Sequence, residues 1–451
     1  LPNQNIDTTT IRVRVQESST NITTSSWNFY DEILDVTSTT RGFFVEEGPS
    51  GLYEVRFGDD IVGASLAVGN IVSIDYIVTN GLSANNISSF TASGNFTGSG
   101  EIKNIYPINS STGGQEKQSI DSVRFNAPKF NATKNRAVTS NDYEALIKSR
   151  FSNINSLTVW GGEENIPPIY GKVFISIQPQ PGSIVSQADK DIIARDIIRP
   201  RSVVSIQPEF VDPIETYIGL NISVNYNKTI TSLTTSRIES EVRAVVQSFF
   251  TNNVNKLQKN FYYSKLLSAV VGTTQSIFSA SIQVLMHKRI TIFTGVPEDY
   301  VIRFNTPLEI ETLRTTTFTT TIGTQEYDVY ITDQHDITVG DIGTLVMKRI
   351  SDDVIILPNV GNVDYTTGVV NITDLLISPG SGTELRIYVE PFGDAPNILT
   401  TDLTSTSNVS TAAIFPNAAR NTVLTLDTSA ANSVTNIPAG LTVTAIANSQ
   451  E

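Results

Sequence analysis

Residues 57–63 read FGDDIVG, which sets two adjacent carboxylates, Asp59 and Asp60, between Gly58 and Gly63. Paired acids in a glycine-rich turn admit three readings. They can hold a cation, act as a general acid/base pair, or bond nearby backbone N–H groups in a tight turn. Two further groupings occur, Asp333 with Asp336 and Asp352 with Asp353. None supplies the alternating acids, central glycine and terminal glutamate of an EF-hand calcium loop. Turns are therefore expected at all three. At FGDDIVG the expected turn is a hairpin that reverses LYEVRF into the next strand.

Histidine, the usual general base and zinc ligand, occurs only as His287 and His335. His287 follows a strand expected to end at Met286 and stands beside Lys288 and Arg289. His335 lies in the polar stretch TDQHD. No metal-ligand spacing accompanies either, and both are expected as solvated loop residues. A Ser–His–Asp set can be assembled from any chain this rich in Ser and Asp, and no G-x-S-x-G elbow supports one. GxxxxGK[ST] is absent, and no GxGxxG sits between a strand and a helix. Trp160 in VWGGEEN could serve as a sugar platform, but a packed aromatic ahead of a Gly-Gly turn is the expectation. Cysteine is absent, which removes disulfides, thiolate metal sites and Cys nucleophiles and fits assembly in a reducing cytosol. No catalytic, metal or cofactor-binding residues are expected.

The 451 residues have room for about three or four domains. Lys plus Arg number 31 against Asp plus Glu 45, a net charge of -14, which argues against a large nucleic-acid footprint. The longest basic cluster, HKR at 287–289, is small. No apolar run approaches the roughly 18 residues that span a bilayer. The chain opens on Leu1 and polar LPNQNIDTTT, which is no signal peptide and suggests that a true N-terminus is missing or removed. Charged residues are only 17%, while Thr, Ser and Asn crowd the surface segments, as suits β-rich proteins. The many N-x-[ST] triplets follow from that composition.

The elements that must position these residues show in the periodicity. IRVRV at 11–15 alternates, with Ile11, Val13 and Val15 on one face. NIVSIDYIVTNG alternates before the Asn80-Gly81 turn signal. Loops and short strands are expected at 83–117. The character changes near 126. Thr139 with Asp142 forms a capping box ahead of Tyr143, Leu146, Ile147 and Phe151. KVFISIQP reads as a strand, and Ser186 with Asp189 caps a helix carrying Ile193 and Ile197 that ends at Pro200. Ile218, Leu220, Ile222, Val224 and Tyr226 form the clearest half-buried strand. Ser236 with Glu239 is expected to cap a helix whose stripe is Ile238, Val242, Val245, Val246 and Phe249. SKLLSAVVG stops at Gly272, and the next strand is expected to align Phe278, Ala280, Ile282, Val284 and Met286. Beyond about 296 strands alone are expected, including TVLTL and LTVTAI near the end.

This is a multidomain α+β chain, with β-rich N-terminal and C-terminal domains flanking two small α+β domains. The expected division is 1–125 (β-rich), 126–213 (α+β), 214–295 (α+β), 296–395 (β) and 396–451. The last part is a C-terminal arm or small β segment able to pair with a neighbour's edge.

Three stretches together resemble the baseplate wedge proteins of T4-like contractile-tailed phages, within the broader baseplate J-like family. They are YEVRFGDDIVGASLAVGNIVSIDYIVTNGLSANN at 53–86, APKFNATKNRAVTSNDYEALI at 127–147 and VWGGEENIPPIYGKVFISIQPQPG at 159–182. Their order and spacing also match, and similarity covers about residues 50 to 290. The motif positions are Phe57, Gly58, Asp59, Gly63, Gly69, Asn80, Gly81, Asn85, Ala137, Thr139, Asp142, Tyr143, Trp160, Gly161, Gly162 and Gly171. The family more often has Gly where this chain has Asp60, and Gly-Asn where it has Ala84-Asn85. Asp tolerates left-handed turn positions at modest cost. The long N-terminal helical region of such proteins is not in this chain.

The resemblance implies a non-enzymatic building block of the virion's tail baseplate, assembled in the host cytoplasm. It would pair with itself (homodimer contacts within a ring) and with other wedge proteins around the hub. Rearrangement of that ring would release sheath contraction. No cofactor, nucleic acid, membrane or small-molecule substrate is implied. The alternatives are a β-rich host-binding adhesin and the equivalent baseplate part of a bacterial contractile injection system.

Overall fold

Strands begin where the alternation begins. In β1 (Ile6–Gln16), Ile11, Val13 and Val15 are buried and the intervening arginines are exposed. β2 (Thr24–Phe29), β3 (Gly42–Glu47), β4 (Tyr53–Phe57) and β5 (Ile71–Val78) complete a five-stranded sheet in the order β4-β3-β2-β1-β5. All its pairings are antiparallel except β2 with β3. Val13, Val15, Trp27 and Phe43 form its core, with Val72, Ile74 and Tyr76 of β5 packed against them. The computed structural model describes residues 1–451 apart from residues 32, 86, 92–110, 112, 113, 115, 152, 153, 166, 167, 181–183, 337, 339, 381, 383, 395, 399–419, 430–439 and 449–451. The loops and short strands expected at 83–117 lie largely outside the described residues. The chain forms two units, residues 1–122 and 123–451.

Helix α1 (Ile120–Thr133) leads from the first unit into the second and carries Pro128 inside it. Periodicity did not announce this helix, because proline lacks the N–H and clashes with the preceding turn. α2 (Ser140–Arg150) starts at the expected capping box. Thr139 accepts from the Asp142 N–H, and the Asp142 carboxylate accepts from the Thr139 N–H at 2.9 Å. β6 (Ile154–Gly161) and β7 (Lys172–Pro179) pair antiparallel, and β8 (Gln207–Phe210) joins β7 in parallel. α3 (Gln187–Ile192) is capped by Ser186 as expected, then widens into a π-turn over Ile193–Ile198. There the Arg199 N–H bonds the Ala194 carbonyl, an i→i−5 step. The wider turn lets Ile193 and Ile198 both face Ile147 and Ile175 in the core. Each such buried isoleucine contributes roughly 2 kcal/mol.

β9 (Ile214–Asn227) buries Ile218, Leu220, Ile222, Val224 and Tyr226 as the alternation predicts. α4 (Thr235–Phe249) buries Ile238, Val242 and Val246, but its cap is Thr234 rather than Ser236. Thr234 is extended and accepts from the Arg237 N–H, so the helix starts one residue ahead of Ser236. α5 (Tyr263–Val271) ends at Gly272. β10 (Ile277–Thr291) pairs antiparallel with β9. Phe278 does not share the face of Ile282, Val284 and Met286 and is 48% exposed. A register shift between Ile277 and Ser279 inserts a residue there, so Ile277 is buried in its place.

The remaining strands are β11 (Glu298–Arg303), β12 (Arg314–Thr315), β13 (Phe318–Ile322), β14 (Gln325–His335), β15 (Ile342–Arg349), β16 (Ile355–Asp364), β17 (Val369–Leu375) and β18 (Glu384–Val389). They extend the β9–β10 sheet, which runs β11-β17-β16-β15-β14-β12-β18-β10-β9. β19 (Thr422–Leu426) and β20 (Leu441–Asn448) lie in parallel along successive halves of β9. One core joins side chains from Ile218 to Ala445, with α4 and α5 packed on it. Among the described residues no helix is long and apolar enough to cross a membrane.

Candidate functional site

The FGDDIVG stretch forms a loop rather than the expected hairpin. β4, which leads into it, and β5, which follows it, stand at opposite ends of the sheet order and do not pair. Asp60 takes a left-handed φ of 65°, and the Gly58 and Gly63 backbones touch, which tightens the chain over six residues. The loop is then tied elsewhere. Gly63 N–H bonds the Thr37 carbonyl at 3.2 Å, and Ala64 N–H bonds the Thr40 carbonyl at 2.8 Å. These bonds carry the chain onward to β5 instead of back along β4.

Both carboxylates are occupied within the loop. Asp59 Oδ1 accepts from the N–H groups of Ile61 at 3.0 Å and Val62 at 2.9 Å. Asp60 accepts the Ser65 N–H at 2.8 Å and the Ser65 hydroxyl at 2.6 Å. The Val62 and Ile61 N–H groups hold Asp59 below the usual carboxylate range, and the Ser65 hydroxyl and N–H do so for Asp60. Such groups stay ionised, the opposite of a general acid poised to give a proton.

The other motif positions serve the backbone or the core. Phe57 meets Trp27 edge-on, with ring centroids 5.3 Å apart. Gly69, Gly81 and Gly171 have positive φ, and Asn80 precedes a short 3₁₀ turn starting at Gly81. The Asn85 amide exchanges hydrogen bonds with the Gly114 backbone at 2.9 and 2.8 Å. Ala137 is fully buried and its N–H bonds the Arg201 carbonyl. Tyr143 fills the core beside Ile147. Trp160 stacks on Phe174 at 5.7 Å, and its Nε1–H donates to Asn165 Oδ1 at 3.0 Å. A Cβ on Gly162 would fall 1.9 Å from the Ile169 carbonyl oxygen, and one on Gly161 would strike the Glu163 carboxylate. These positions do not converge on one site.

The aspartate groupings elsewhere divide. Asp336 accepts from the Thr338 N–H, as in a turn. Asp352 takes a two-point bond from Arg349 at 2.8 and 2.6 Å, and Asp353 is left-handed and accepts from the Tyr330 hydroxyl. Asp333 is not a turn residue. It lies buried in β14, accepting from the Tyr365 hydroxyl at 2.8 Å and the Leu313 N–H at 3.0 Å, and burial raises its pKa. Among the described residues no three His, Asp or Glu side chains gather as a metal site requires.

The histidines also depart from the solvated-loop expectation. His335 ends β14 partly buried, with Nε2 2.7 Å from the Gly340 carbonyl oxygen. His287 is buried, because β10 runs on to Thr291 alongside β18, pairing Met286 with Val389 and Thr291 with Glu384. Its ring lies between Tyr217 at 4.8 Å and Tyr388 at 4.7 Å. Nδ1 is 3.5 Å from the buried Asp427 carboxylate. The Arg289 Nε–H donates to Nε2 at 3.4 Å, so the imidazole is neutral and carries its proton on Nδ1. Burial, more than any charge, pushes its pKa down to about 4. Arg289 also covers the Tyr217 ring at 3.9 Å, and the Tyr217 hydroxyl donates to Glu215. With Arg289 rather than a hydroxyl at Nε2, this Asp–His pair has no nucleophile to activate.

Lys288 points to the other face of β10. It is 7% exposed, with no hydrogen bond or ion pair among the described residues, and burial alone pushes its pKa down to about 8. It lines a cleft of about 630 Å³ with Arg289, Arg303, Ile214, Ile290 and Ile302. The sequence named HKR only as a basic cluster. Its partners Tyr217, Tyr388 and Asp427 are far away along the chain, and no local pattern pointed to them.

Residues 139–211 match the family model described as baseplate structural protein gp6, C-terminal domain I, and residues 215–289 match gp6, C-terminal domain III. The baseplate wedge protein gp6 of Enterobacteria phage T4 is 22% identical over 308 residues, 62% of this chain and 45% of that protein. The chain thus spans less than half the length of this curated relative. A chain of the anti-feeding prophage baseplate, solved by cryo-EM, covers 40% of this chain and 42% of its own at 12% identity and a TM-score of 0.27, too low to carry an argument. The resemblance first seen at the motif level thus recurs over residues 139–211 and 215–289, and these matches support a T4-like baseplate wedge protein.

Proposed function

We propose that this chain helps build the wedge ring around the tail hub and takes part in the rearrangement that releases sheath contraction. The carrying observation is the tandem match to two gp6 C-terminal domains, inside an alignment to a T4 wedge protein. The side chains that resembled chemistry support a scaffolding reading, since Asp59, Asp60, His287 and Asp333 each bond within the fold. The chain then acts without catalysis, nucleic acid, membrane or small-molecule substrate. It assembles in the host cytoplasm with itself and other wedge proteins and ends in the virion's tail baseplate. The five-part division at 125, 213, 295 and 395 is our proposal for its modules, the last three of which share one sheet and one core. The break between the two family models, at 211–215, supports its second boundary.

A phage deleted for this gene tests the reading. Electron microscopy of lysates is expected to show tails without complete baseplates, restored when the full-length protein is supplied. Intact, contractile tails from the deletion would overturn it.

A further inference from the structure

β9 and β10 form a fork. They pair from Tyr226 and Ile277 down to Tyr217 and His287, and then part. Beyond that point β9 is held by β19, from Thr422 opposite Ile214 to Leu426 opposite Ile218. β10 continues through Lys288–Thr291 on β18 alone. On the β9 side these four residues have no strand partner among the described residues, and backbone groups on an unpaired edge are templates for another strand. The cleft of about 630 Å³ opens in this fork, with Val301, Ile302 and Arg303 of β11 on its far wall. Residues of both faces of β10, Lys288 with Ile290 and Arg289 with Thr291, line it, so it straddles the edge.

Among the described residues two polar atoms in this cleft lack partners, and they differ in kind. The Lys288 ammonium, on a residue 7% exposed, is a donor without an acceptor. Asn305 Oδ1 is buried and is an acceptor without a donor. A simple anion answers the first and not the second. An extended peptide carries both a carboxylate and N–H groups, and a strand edge to lie along is already present. The charge agrees. The lining holds Lys288, Arg289 and Arg303 against Glu215, a net positive site on a chain of net charge -14.

We propose that the β9–β10 fork binds an extended acidic peptide segment of a partner protein, seated along Lys288–Thr291. One carboxylate meets Lys288 and one N–H meets Asn305. Ile290, Ile302 and Ile214 cover the aliphatic neighbours of the acidic residue. Naming a partner subunit as the source rests on the baseplate reading, whereas peptide binding does not.

The test uses the full chain and the probe Ac-Val-Asp-Ile-Thr-NH2, with its Asn-for-Asp analogue, sodium acetate and inorganic phosphate as controls. Acylation of Lys288 is followed by mass spectrometry, with exposed Lys134 and Lys228 as internal references. The Asp peptide is expected to slow Lys288 labelling at least fivefold and leave the references unchanged, while the Asn analogue does neither. In calorimetry Lys288→Met weakens peptide binding at least tenfold and Asn305→Ala severalfold. Because labelling is read on the unaltered chain, the outcome stands even where a variant fails to fold. Equal protection by the Asn analogue, or no protection at all, overturns the site. Protection by acetate or phosphate matching that of the peptide overturns the peptide assignment. Normal baseplate incorporation alongside failed peptide binding would sink this proposal and leave the assembly reading intact.

Discussion

Asp59–Asp60 and His287–Lys288 are both adjacent pairs of ionisable residues, and they solve opposite problems. The aspartates sit at the surface of the first unit, where water solvates charge and each carboxylate also collects two bonds from its own loop. The second pair lies on a central strand of a twelve-stranded sheet, and its side chains diverge to the two faces. His287 becomes neutral and is held by stacked tyrosines and Asp427. Lys288 enters a mixed cleft with no ion-pair partner among the described residues. Turn chemistry makes a charged pair structurally useful at a surface, whereas burial makes each member of such a pair answer to its own face.

Four measurements test this contrast. The largest effect is expected where the aspartate loop depends on glycine rather than on charge. A Cβ on Gly58 would stand 2.2 Å from the Gly63 backbone, so Gly58→Ala should destabilise the first unit by roughly 3 kcal/mol. Denaturant unfolding followed by Trp27 fluorescence in a Trp160→Phe background would report it, and an unchanged midpoint would remove the close-approach argument.

Next, Lys288→Met should stabilise the second unit at pH 7, by on the order of 2–3 kcal/mol. The lysine pKa falls from 10.5 to about 8 on folding. Between those values the unfolded chain binds more protons, so wild-type stability rises with pH and the Met advantage disappears by about pH 10.5. Calorimetry across that range checks both size and sign.

The third effect is on the acid side. His287 falls from 6.5 to about 4, so below pH 6.5 the unfolded chain takes up a proton that the folded chain refuses. Wild type should therefore lose on the order of 2 kcal/mol relative to His287→Gln as pH drops from 6.5 to about 4, and no more below that. A constant difference across the window would mean the imidazole is charged in the fold.

The smallest effect is expected from Asp59→Asn with Asp60→Asn. Their lowered pKa values place any contribution above the ordinary value of 3.8, with its loss below it. At pH 7 the double variant should melt within the scatter of replicate scans and assemble normally. Loss of a measurable hydrolysis at unchanged melting temperature would instead restore the acid/base reading.

Much of the architecture was legible because it follows from local rules. Alternation placed β1 and β9, and Thr139 with Asp142 placed the start of α2. The misses have local causes that composition hides. Proline concealed α1, a bulge turned Phe278 outward, and a nearer threonine took the cap of α4. At FGDDIVG the sequence correctly indicated turn residues but not the strand partner, since the Thr37 and Thr40 carbonyls that redirect the chain carry no signature.

Most of the segments that become strands and helices, the acceptor role of Asp59 and Asp60, and the wedge-protein resemblance were thus set by the chain's own residues. Each of these is written in periodicity or in residues a few positions apart. Burial of His287 and Lys288, rather than solvation, came from the fold alone. β18 and the loop carrying Asp427 reach β10 from about 100 to 140 residues away, and burial depends on such partners. The same fork of strands left Lys288 without an ion-pair partner among the described residues, a consequence of sheet topology that spacing along the chain does not carry.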